Sequence, residues 1–152
     1  MKLIIKADTL IDGTGAKSLS QGALVIERGR ITEVTTQQRL SEYPEDFEVF
    51  EVLGGTIMPG FVETHSHMHC SGEADAYYQV TTETDELLFN RAIQAVRTSL
   101  VSGVTTMRDL GSKNSVAFAV KRDISNGLIP GPRLLVSGTP ITTMNGHCNS
   151  FG

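Results

Sequence analysis

The feature that most constrains this chain is the order of its apolar patterns after residue 56. Thr56–Thr64 is a short, mostly apolar run that reads as a buried strand. Leu88, Ala92, Ala95, Val96 and Leu100 then share one face of a helix that Asp85 and Glu86 open and Gly103 closes. Val104–Arg108 reads as a strand. Val116, Val120 and Ile124 mark a second helix ended by Asn126-Gly127, and Arg133–Ser137 reads as a third strand. Such β-α-β-α-β alternation is met by parallel strands joined through right-handed crossovers. The connection from Ser66 to Thr84, with Glu73, Asp75, Tyr77 and Tyr78, is long enough to be a lid; its acids suit a basic substrate group or open solvent.

Residues 1–55 have a different character. Leu3–Ile5 and Ala7–Ile11 are strand-like, and Asp12-Gly13-Thr14-Gly15 breaks them with turn residues. Ala23–Glu27 and Arg30–Val34, separated only by Arg28-Gly29, predict a hairpin. Phe47–Val52 is a further strand. The expectation is a small antiparallel unit over 1–55, followed by a β/α unit over 56–152 that holds three parallel strands. Two helices on three strands leave sheet edges uncovered. An eightfold β/α barrel takes about 250 residues. We therefore expect the N-terminal portion of a longer protein, or a chain that takes a partner, a homo-oligomer included.

Composition excludes several functions. Thirteen Lys and Arg stand against 17 Asp and Glu, a net charge of −4, so nucleic acid is not the expected partner. No apolar run is long enough to span a bilayer, so no membrane partner is expected. Met1–Leu10 lacks the apolar core of a secretion signal. Cys70 and Cys148 form no Cys-x-x-Cys pair and read as reduced thiols, which predicts a cytoplasmic protein; one disulfide stays open. No strand is followed by a glycine-rich phosphate loop, which weakens a nucleotide-binding reading.

The chemistry is concentrated in Glu63-Thr64-His65-Ser66-His67-Met68-His69-Cys70. Side chains alternate along a strand, so Glu63, His65 and His67 face one way if the strand continues. In parallel β/α proteins the C-terminal strand ends carry the active site. Two imidazoles there are half a site for a divalent ion such as Zn²⁺; a catalytic zinc takes about three protein ligands and an open position. His69 has the same parity but falls in the loop, and Cys70 reads as an ordinary thiol. A closed site from His69, Cys70, His147 and Cys148 is the competing metal arrangement.

Met58-Pro59-Gly60-Phe61-Val62-Glu63-Thr64-His65-Ser66-His67 resembles the signature that opens the barrel of the amidohydrolase superfamily. Gly103–Gly111 resembles its second barrel strand. Gly131–Gly138, followed by Gly146-His147-Cys148, resembles the third strand and its loop. Asp12–Gly15 and Glu27–Ile31 are similar to the small β-sandwich that flanks the barrel. The branch it most resembles holds imidazolonepropionase-like enzymes and Xaa-Pro dipeptidase (prolidase)-type or arginine-carboxypeptidase-type peptidases. The resemblance implies an α/β fold: a partial TIM-like (β/α)8 barrel, here its first three strands, preceded by part of a small β-sandwich. It implies one or two Zn²⁺ ions that activate a hydroxide to attack a C–N bond in an amide, a dipeptide or a cyclic amide.

On this resemblance His65 and His67 match the first two metal ligands. Glu63 stands where the family usually has Asp and is assigned to support the ligands or pack the barrel. His147 stands in a loop where related proteins often have Gly-Gly-His, which suggests substrate contact. Arg108 and Asp109 end a strand on the same rim; an ion pair or a helix cap is preferred over substrate contact. The family's bridging lysine, its later histidines and its catalytic Asp have no counterpart in these 152 residues, so no catalytic residue is identifiable. The competing function is a non-catalytic, metal-binding or partner-dependent sub-domain.

Overall fold

The computed structural model describes residues 2–151. The chain forms two compact units, Met1–Pro59 and Gly60–Gly152, in a mixed α/β architecture with one sheet in each.

The first unit has β1 (Lys2–Leu10), β2 (Leu19–Glu27), β3 (Arg30–Thr36), a 3-10 turn over Gln37–Glu42, and β4 (Glu48–Ile57). The predicted hairpin forms as β2–β3, with Arg28 and Gly29 both at positive φ (52° and 75°), as a two-residue turn of this hand needs. The sheet order is β3-β2-β1-β4. The expected antiparallel unit is corrected here: β4 lies parallel to β1. The connection over 37–47 carries the chain back to the other side of β1 and lets it restart in the same direction. Ile4, Val25 and Phe47 form a core, flanked by Leu40 and Tyr43.

β4 also shifts the expected boundary at residue 55. It runs through Gly54-Gly55 to Ile57, and its register against β1 slips between Ala7 and Thr9. The irregularity absorbs the two glycines inside the strand. The run 56–64 is thus two strand pieces broken at Met58-Pro59-Gly60.

The second unit has β5 (Phe61–Ser66), α1 (Ala76–Thr82), α2 (Asp85–Val101), β6 (Val104–Asp109), α3 (Val116–Ser125), β7 (Arg133–Val136) and a 3-10 turn over Asn149–Phe151. β5, β6 and β7 are parallel and adjacent in that order. Thr84 caps α2 by accepting the Leu87 N–H (3.4 Å), and Asp85 and Glu86 lie in its first turn. Leu88, Ala92 and Val96 are buried along α2, and Val116, Ala117 and Val120 along α3. They join Met107 and Leu134 in the main core. The long connection after β5 is not a plain loop: it contains α1, anchored by the buried Val80.

β5 is not the buried strand expected. Phe61 is 55% and Val62 61% exposed. Only β6 borders it, so among the described residues it is an edge strand. Gly60 lets it dock: a Cβ there would lie 2.2 Å from Thr105 Cγ2. Among the described residues, no helix is long and apolar enough to cross a membrane.

Candidate metal and substrate site

Parallel pairing aligns Ser66 with Asp109, and Asp109 with Val136, so the C-terminal ends of β5, β6 and β7 stand side by side. The Leu110 N–H donates to the Ser66 carbonyl (2.9 Å) and the Ser137 N–H to that of Asp109 (3.2 Å). The histidine segment leaves the sheet at this edge.

The structure brings His65 and His67 together. Their ring centroids are 5.4 Å apart with the planes at 67°. His65 is exposed at the end of β5; His67, one residue past it, is partly buried. Nδ1 of His67 lies 3.0 Å from the Gly111 carbonyl oxygen. A carbonyl only accepts, so Nδ1 is the donor in this contact. Gly111 leaves room for Pro140: a Cβ there would lie 2.5 Å from Pro140 Cγ, while its 3.5 Å to His67 Cε1 is ordinary contact.

Behind His67 lies a fully buried carboxylate. Asp109 Oδ2 accepts the Met68 N–H (2.9 Å) and Oδ1 the Gly111 N–H (3.2 Å). Burial pushes its pKa up, while the two N–H groups and the nearby His67 pull the other way. Asp109 is thus neither an ion-pair partner nor a helix cap; it holds the backbone on both sides of the His67 ring. Sequence reasoning missed this role. The available signal was an acid at the end of an apolar strand with a glycine two residues on. Arg108 is corrected too: its Nε donates to the Thr64 carbonyl (2.7 Å), tying β6 to β5.

Glu63 is exposed, and its Oε1 accepts the His65 N–H (2.9 Å). His147 is exposed in the segment after β7 and lines a cavity with His67, Cys70, Tyr77, Cys148 and Phe151. The acids of the connection after β5 are engaged locally, Glu73 and Asp75 both accepting from Gln79 Nε2 (3.5 and 2.7 Å).

His69 is a core residue. It is 0% exposed, its ring meets Phe151 edge-on at 5.2 Å, and burial lowers its pKa to about 4, which keeps it neutral. The closed site from His69, Cys70, His147 and Cys148 does not form: among the described residues no group of three or more His, Cys, Asp or Glu side chains is placed to hold a metal. His65 and His67 alone are two imidazoles, short of the three or more protein ligands that a zinc site takes. Both cysteines are free thiols.

A model of the amidohydrolase family matches residues 56–151. The chain is 28% identical over 122 residues to an imidazolonepropionase of Colwellia psychrerythraea, an alignment covering 75% of this chain and 28% of that one. Among solved structures it superposes on a Xaa-Pro dipeptidase with bound methionine in the active site at a TM-score of 0.86, with 27% identity over 98% of this chain and 36% of that one. It also superposes on a prolidase complexed with N-methylphosphonate-L-proline at a TM-score of 0.74, with 26% identity over 91% of this chain and 32% of that one. The chain thus spans about a third or less of the length of each of these relatives.

Proposed function

The chain belongs to the amidohydrolase family, in its imidazolonepropionase- and prolidase-like branch, and from that membership we propose that it serves metal-dependent hydrolysis of a C–N bond in a small amide, dipeptide or cyclic amide. Its second unit then corresponds to the opening three strands of a β/α barrel, as the N-terminal portion of such an enzyme, and its first to part of a small β-sandwich. The two free thiols suit a reducing, cytoplasmic setting.

The observation that carries this reading is the His65–His67 ring pair at 5.4 Å, with Nδ1 of His67 committed to the Gly111 carbonyl. An imidazole whose other nitrogen is fixed by a backbone carbonyl is oriented as metal-binding histidines are. We assign both rings as ligands of one or two divalent ions, Zn²⁺ foremost. Such an ion, when bound, polarises a carbonyl and lowers the pKa of water toward about 7. Asp109 fixes the backbone that fixes His67, Glu63 holds the backbone N–H of His65, and His147 stands where it can contact substrate.

Zinc titration of the purified chain by calorimetry, with elemental analysis, tests the assignment. The native chain should bind zinc, and His65→Ala and His67→Ala should each lose it. Unchanged zinc content in both variants removes the ligand assignment.

A further inference from the structure

We propose that the cavity beside His67 seats an apolar substituent of the substrate, about the size of one phenyl ring or a branched four-carbon chain. The hydrolase reading above supplies what the cavity serves; the cavity itself supplies what fits. It measures about 180 Å³. Three segments build it: the turn after β5 gives His67 and Cys70, α1 gives Tyr77, and the stretch after β7 gives His147, Cys148 and Phe151.

Its wall is almost wholly apolar. The Tyr77 hydroxyl is occupied by Ser150, whose Oγ donates to it at 2.8 Å. Nδ1 of His67 is turned to Gly111. Cys70 is half-buried and contributes its side chain to the wall, where a cysteine packs as a small hydrophobe. Phe151 is buried against His69 and gives a fixed wall. No Asp, Glu, Lys or Arg lines the space.

The cavity opens to solvent on the side of Tyr77, and its volume of about 180 Å³ admits a group of benzene's size against the apolar wall. A charged or amide side chain would give up water there and find few partners in return. His67 on the wall sets the selected group beside a proposed metal ligand. Each methylene withheld from the cavity should weaken binding about fourfold.

Benzene, titrated into the metal-free 152-residue chain and followed by saturation-transfer NMR, is the test. Saturable binding is expected in the native chain. Cys70→Phe, which fills the space, should abolish it. Tyr77→Ala, on the exposed side, should weaken it about tenfold with the fold retained by circular dichroism. No saturable binding to the native chain, or equal binding to native and Tyr77→Ala proteins, overturns the proposal. Benzene binding without zinc binding would sink the metal reading and leave the cavity assignment standing; zinc binding without benzene binding would do the reverse.

Discussion

Asp109 reaches His67 through one glycine. Its Oδ1 accepts the Gly111 N–H at 3.2 Å, and the Gly111 carbonyl accepts the Nδ1–H of His67 at 3.0 Å. Its other oxygen holds Met68, the residue after that histidine, at 2.9 Å. Asp109→Ala would leave two buried N–H groups without an acceptor, at a cost of about 3 kcal/mol or more. Asp109→Asn keeps one acceptor and should cost less. Urea unfolding of both variants checks the order, and zinc titration should show weakened binding in each.

The neutral ring of His67 should be the Nδ1–H tautomer, because only a protonated Nδ1 can bond to the Gly111 carbonyl. Two-bond ¹H–¹⁵N correlation spectra distinguish the tautomers directly. A dominant Nε2–H signal for His67 would contradict the contact.

Gly60→Ala should separate β5 from β6, because the added methyl would lie 2.2 Å from both Cγ2 and Oγ1 of Thr105. Overpacking of this kind costs about 2 kcal/mol. Thermal unfolding measures it, and adding Thr105→Gly should return part of the loss.

The Glu83–Arg91 pair links the end of α1 to α2 at 2.6 Å, and Arg91 also reaches the His69 carbonyl at 3.5 Å. The guanidinium holds the Glu83 carboxyl below its ordinary 4.5. A depressed folded-state pKa contributes stability that is present above the unfolded value and lost as pH falls through the folded one. Glu83→Gln should therefore lower Tm at pH 7, with the difference closing below about pH 4.5. A gap that does not narrow as pH falls below 4.5 would mean the pair acts through packing rather than charge.

Purified protein of these 152 residues should not hydrolyse dipeptides or cyclic amides at enzyme-like rates, even with zinc supplied. Two imidazoles are short of the three ligands a catalytic zinc takes, and among the described residues no third is placed with them. A ninhydrin assay across a dipeptide panel decides it.

Local patterns were legible in the sequence where a single buried face set the spacing. Leu88, Ala92 and Val96 marked α2 because one side of it meets the core. The alternation of elements then dictated the parallel strands of the second sheet. α1 was not legible: Tyr77, Tyr78, Thr81 and Thr82 are weak helix formers, and Val80 alone among its residues is buried. The β1–β4 pairing escaped because nothing local records whether a returning strand runs parallel or antiparallel. In the site, the pairing of His65 with His67 could be read from alternation and strand position. The Asp109 clamp could not, since it joins residues 41 positions apart in sequence.

The position of β5 at the margin of its sheet has a kinetic consequence. One flank of its backbone has no neighbouring ladder among the described residues, so those amides should exchange with deuterium sooner than the central ones of β6. The imidazoles thus sit on one of the softer ribbons of the unit, and the carboxylate beneath them restrains a segment that would otherwise breathe.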